Sequence, residues 1–133
     1  MGRRALLLER YLVRLSPLAF PEVEAGHRLC MRDLAVESGL REAAARTYRA
    51  RSYEGIPPRA TGELPVQVAD GRVCVDLPVT AGAARAPRYH VVDLFAATRE
   101  REASHPARVH FWQDAAGAYA IAGLERPDSD GPP

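Results

Sequence analysis

The residues with the most specific chemistry in this 133-residue chain are two cysteines, four histidines and a single tryptophan. Cys30 and Cys74 bond only if the fold brings their Cα atoms within ~7 Å. In a reducing compartment two unpaired thiols are the default, and that is the leading reading; a disulfide would argue for export. His27 and Cys30 stand one helical turn apart, the spacing of a thiolate–imidazolium pair. No third group marks itself as an orienting partner, so the stronger reading is a stripe histidine beside a packed cysteine. His90, Asp93, His105, His110 and Asp114 carry metal-ligand chemistry. Strand parity turns His90 and Asp93 to opposite faces, and the two ligands that could still meet, His90 and His110, make a weak site. No metal, cofactor or catalytic residue is expected. Trp112 and Tyr119 pair across an expected hairpin, on the side of His110 and Ile121. Left exposed, His110, Trp112 and Tyr119 form a ligand or partner surface; covered, they are core.

All 18 basic residues are Arg, and the chain holds neither Lys nor Asn. Codon bias in a GC-rich, bacterial genome explains this better than selection for phosphate binding. The formal net charge of +1 gives no global pull toward nucleic acid or membrane. It is uneven: eleven Arg against seven acidic residues up to Arg59, then seven against ten. Within the basic half, Leu34-Ala35, Gly39-Leu40, Ala45 and Tyr48 supply a small residue, a turn glycine and inward apolar side chains. On these residues Met31–Ala50 resembles a helix-turn-helix DNA-binding segment. The resemblance implies that Arg41, Glu42, Arg46 and Thr47 face outward, with Arg49 and Arg51 near phosphates. Arg41, Arg46, Arg49 and Arg51 are then the DNA-contacting set. Arg41 departs from the pattern, because it stands where a small capping residue usually opens the second helix.

The elements that must position these groups follow from periodicity. Leu8, Tyr11, Leu12 and Leu15 predict an amphipathic helix over Arg3–Leu15. Pro21 suits a first helical position, and Val23, His27, Cys30, Met31, Leu34 and Ala35 form a stripe that ends at Gly39. Ala-rich Arg41–Arg51 predicts a third helix. Ser52–Gly62 reads as a connector, after which the pattern alternates. Asp70-Gly71 predicts a two-residue hairpin turn that pairs Val68 with Val73, Val66 with Val75 and Leu64 with Leu77 on one face. Pro65 marks an edge strand. Thr80–Pro87 reads as a loop and Tyr89–Ala96 as a strand. Arg108–Gln113 and Ala118–Leu124 form a second hairpin, turned by Asp114–Gly117.

The expectation is one α+β domain over 1–126, with a helical layer at 1–51 on an antiparallel meander of about five strands at 64–124 and a disordered tail at 127–133. Cystatin-like and nuclear-transport-factor-like folds share that outline. No apolar run is long enough to cross a membrane. The chain is expected to be cytoplasmic, or extracytoplasmic if Cys30 and Cys74 are bonded or the chain is a fragment. The leading function is a non-catalytic module that binds a protein or small-molecule partner, with a homodimer compatible. The alternatives are DNA binding through 31–50, and a small enzyme with a cavity between helices and curved sheet.

Overall fold

The computed structural model describes residues 18–37, 46–69, 71–78, 88–98, 105–127 and 132–133. It corrects the expected helical layer: the described chain is nearly all antiparallel sheet, not α+β. The strands are β1 (Leu18–Glu24), β2 (Arg28–Asp33), β3 (Arg46–Glu54), β4 (Arg59–Leu64), β5 (Val66–Ala69), β6 (Arg72–Asp76), β7 (Arg88–Thr98), β8 (Ala107–Gln113) and β9 (Tyr119–Glu125). One helical turn, α1 (Leu34–Glu37), follows β2. Its start is capped by Asp33, whose Oδ1 accepts from the Val36 amide at 3.4 Å and whose Oδ2 accepts from the Tyr48 hydroxyl at 2.5 Å.

Two sheets share one core. The four-stranded sheet runs β1-β2-β6-β5 and the five-stranded sheet β4-β3-β7-β8-β9. Leu29, Met31, Val73 and Val75 come from the first, and Val92, Leu94, Val109 and Phe111 from the second; all are essentially buried in a single cluster. This is how two antiparallel sheets, each apolar on alternate residues, dispose of their greasy faces.

The residues expected to form the second helix are a β-hairpin. β1 pairs with β2, from Leu18↔Asp33 to Glu24↔Arg28. Ala25 and Gly26, both at positive φ (52° and 75°), make the turn, closed by the His27 amide on the Glu24 carbonyl at 3.2 Å. Two successive positive φ values are those of a type I′ turn, here with His27 left as a third loop residue because Glu24 pairs with Arg28. Alanine there lacks the usual Asn or Asp signal, and the stripe Val23, His27, Cys30, Met31 fits helical and strand placement equally. Gly26 also sits close against β9. Its carbonyl accepts from the Tyr119 amide at 2.7 Å, and an added Cβ would lie 3.3 Å from that of Ala118. Because Ala25 carries a left-handed penalty, Ala25→Gly or Ala25→Asn is expected to raise stability by roughly 0.5–1 kcal/mol, read from urea unfolding midpoints.

The expected third helix, Arg41–Arg51, is corrected over its described part, which is strand β3. Its pairing with β7 runs unbroken from Arg46↔Thr98 to Glu54↔His90. The expected connector Ser52–Gly62 contains the end of β3, a turn and most of β4. The first expected hairpin holds its register, with Val66↔Val75 and Val68↔Val73. Leu64 does not pair with Leu77. Pro65 interrupts the strand, so Leu64 joins β3 opposite Ala50 while Val66 joins β6. One segment thus serves both sheets at a proline corner, and β5 is indeed an edge strand. Tyr89–Ala96 lies within β7 as expected. The helix expected over Arg3–Leu15 and the loop over Thr80–Pro87 lie outside the described residues, as does most of the expected tail.

Candidate functional site

Alternation along β7 and β8 divides the five-stranded sheet. Val92, Leu94, Val109 and Phe111 point into the core, so Tyr89, Val91, Asp93, Arg108, His110 and Trp112 belong to the outer face. Asp93 and Arg108 are direct cross-strand partners. Arg108 donates through Nε to Oδ1 at 2.7 Å and through Nη2 to Oδ2 at 3.0 Å, with both side chains nearly inaccessible. Hydrogen bonding to Asp93 raises the guanidinium's pKa further, against the opposing effect of burial. This pair anchors the middle of the face.

Toward the β8–β9 turn the face changes character. Trp112 is 43% exposed, the only tryptophan of the chain. Its ring centroid lies 5.2 Å from that of Tyr89 at a tilt of 57°. The Tyr89 hydroxyl is hydrogen-bonded to His110 Nδ1, and His110 Nε2 meets Glu125 Oε1 at 2.9 Å. If Tyr89 donates, His110 carries its proton on Nε2 and donates to the carboxylate. Burial, and then the Glu125 charge, hold the phenol above its usual pKa. It is therefore a neutral donor at physiological pH and not an activated nucleophile. The chain Tyr89–His110–Glu125 fixes the ring on which Trp112 leans.

The expected surface of His110, Trp112 and Tyr119 is thus divided. His110 and Trp112 lie on the outer face, whereas Tyr119 is buried and points inward, edge-on to Phe111 at 5.8 Å. The cause is a one-residue difference in register. The sequence pattern pairs Trp112 with Tyr119; the structure pairs Gln113 with Tyr119 and Trp112 with Ala120. Asp114 and Ala118 close the loop through the Asp114 amide on the Ala118 carbonyl at 2.9 Å, leaving a three-residue turn with Gly117 at φ 91°. A slip of one residue sends every side chain to the other face. Trp112 and Tyr119 nonetheless both line a groove of about 460 Å³ at the turn, with Asp114, Ala118 and Ala120.

Behind the groove lies a buried polar cluster. His90 Nε2 is 2.9 Å from Gln113 Oε1, and Gln113 Nε2 donates to the Gly117 carbonyl at 3.1 Å. Tyr119 lies edge-on to His90 and donates to the Pro78 carbonyl at 2.5 Å. Burial pushes the Tyr119 hydroxyl's pKa up to about 12. Burial also lowers the pKa of His90, against the hydrogen bond that His90 donates to Gln113 Oε1. The folded protein therefore resists a proton that the unfolded chain accepts, and stability is expected to fall as pH drops below about 6.5, the unperturbed imidazole value. His90→Gln should flatten that slope in urea midpoints measured between pH 5 and 7.

The remaining predicted residues fall elsewhere. Arg49 and Arg51 sit on β3: Arg49 is ion-paired with Glu63, and Arg51 lies over the Phe95 ring at 5.8 Å. Arg46 opens the same strand, and Arg41 lies outside the described residues. Met31–Asp33 and Arg46–Ala50 are strands, so the segment resembling a helix-turn-helix does not have that geometry. The two cysteines are bonded, Cys30 to Cys74, with Cα atoms 4.1 Å apart. They are cross-strand partners of β2 and β6, on the outer face of the four-stranded sheet. This corrects both the unpaired thiols and the thiolate–imidazolium pair; His27 instead places Nδ1 2.8 Å from the Ala25 carbonyl in the turn. His90 and Asp93 lie on opposite faces, as parity requires. Among the described residues no three His, Cys, Asp or Glu side chains are grouped to hold a metal, and no helix is long and apolar enough to cross a membrane.

Tyr89 and Glu125 are the site residues that the sequence pattern does not reveal. Their link to His110 depends on the β7–β8 and β8–β9 registers, which no short turn motif announces. No protein-family model, curated protein or solved structure matches this chain.

Proposed function

We propose that this protein is a non-catalytic binding module and that its ligand or partner engages the Trp112 end of the five-stranded sheet's outer face. The observation that carries this reading is the exposure of Trp112 on a rigid backing. A large aromatic residue is left 43% open, while the ring beside it is held by the Tyr89–His110–Glu125 hydrogen bonds. Pre-ordered aromatic surface lowers the entropic cost of binding, and Trp is prominent among residues that dominate interface energies. The neutral phenol and the solvent-side carboxylate support orientation, not bond making.

The Cys30–Cys74 disulfide supports residence in an oxidising compartment. The test of function is a fragment screen followed by backbone amide NMR shifts. Perturbations should cluster on Trp112, Ala118 and Ala120 and vanish in Trp112→Ala, with the remaining spectrum preserved. Hits that cluster elsewhere would contradict the reading.

A further inference from the structure

We infer that the groove beside Trp112 takes an organic cation: a quaternary ammonium group or a comparable alkylated or guanidinium head on an apolar body. The inference rests on the binding role proposed for this face and adds the chemistry of the ligand. Among the described residues the groove is lined by Trp112, Ala118, Tyr119 and Ala120, and its one carboxylate is that of Asp114. No cationic side chain among the described residues lines it. Arg88, paired in register with Gln113, belongs by parity to the opposite face and lies 3.6 Å from Glu54.

Two features favour a cation over a neutral or anionic guest. The Trp112 ring is open, and indole is the strongest side-chain partner for a cation over a π face. Tyr89, outside the groove, backs the indole from the β7 side at 5.2 Å and 57° and holds it in place. The Asp114 carboxylate supplies complementary charge at the groove's rim. Its Oδ1 already accepts from the Ala116 and Ala118 amides at 2.9 and 3.0 Å, which holds the carboxylate in place. A small methylated head fits a space of this size, and the alanines leave room for its apolar body.

The arrangement also provides a variant that separates charge from structure. Asp114→Asn keeps an Oδ1 acceptor for both turn amides and removes the negative charge. The probes are choline and its carbon isostere 3,3-dimethylbutan-1-ol, which share shape and differ in charge. Emission of the single tryptophan is the readout. Choline should give a saturable change at low salt. The neutral isostere should bind several-fold more weakly. Asp114→Asn should weaken choline about fivefold, the Coulomb energy of one charge near 4 Å in a watery setting, and leave the isostere unaffected. Tyr89→Phe, which keeps the ring that backs Trp112, should retain binding. Equal affinity for choline and the isostere, or no effect of Asp114→Asn, would overturn the cation and leave an apolar binding groove standing. If neither probe perturbs Trp112 while fragments do, the cation alone is wrong; if fragments also fail, the binding face is wrong as well.

Discussion

Breaking the Cys30–Cys74 bond is expected to lower stability by about 4 kcal/mol. The two residues are 44 apart in sequence, and the chain-entropy cost released by opening a loop of that length is of this size. The effect acts mainly through the unfolded chain, which gains freedom when the link is cut. Cys30→Ala, Cys74→Ala, the double variant and the reduced wild type should therefore all lose nearly the same amount. A drop in melting temperature on the order of 10–20 °C accompanies such a loss in a domain of this size. Both cysteines are buried on the outer face of the four-stranded sheet, between the β2 and β6 ladders. The native hydrogen bonds of those strands survive reduction, so the variants should retain β-type circular dichroism. Urea melts with and without dithiothreitol measure the effect directly. Coincident curves would show that the bond does not exist in solution or constrains nothing.

The Asp93–Arg108 pair should give the second large effect, with an informative asymmetry. Removing one partner takes two charge-assisted hydrogen bonds from the other's buried charge, a loss of about 3–5 kcal/mol. Asp93→Leu and Arg108→Met should each be destabilised by that order. The double variant Asp93→Leu/Arg108→Met should recover most of the loss, because two apolar side chains of similar volume have no desolvation cost. The coupling energy is read from a double-mutant cycle in urea. It should be large and favourable, since the two residues face each other across β7 and β8 with two hydrogen bonds between them. Additive losses would mean that Arg108 and Asp93 are held by other groups and that the pair does not anchor this face.

How much of this fold is legible in the amino-acid chain depends on which signals are local. The β5–β6 hairpin is legible because two adjacent strands and their alternation all lie within the eleven residues from Val66 to Asp76. Tyr89–Ala96 is legible for the same reason. The β1–β2 hairpin is not, because its turn is Ala25-Gly26 and its apolar residues also satisfy a helical spacing. Strand β3 is hidden by alanines and arginines, which favour helix locally. Its nine-residue ladder with β7 is a long-range contact that overrides that preference. The cysteine pairing obeys the same logic: with Cys30 on a strand beside β6, its partner is set by register, and on a helix it would not be. At the candidate site, Trp112 and His110 are legible as a face. Tyr119 is displaced from it by a single residue of turn length, since Gly117 makes a bulged three-residue turn where a four-residue turn also fits Asp114–Gly117. Tyr89 and Glu125 join the face only through the strand order.

The orientation of Trp112 decides the position of the binding face, and it can be measured on the native protein with no ligand. Acrylamide quenching of the single indole should be efficient in the folded state, in keeping with its 43% exposure, and should increase only modestly on unfolding in urea. A native emission that resists the quencher until the protein unfolds would place Trp112 in the core, turn β8 over against β7, and remove the face on which the proposed function stands.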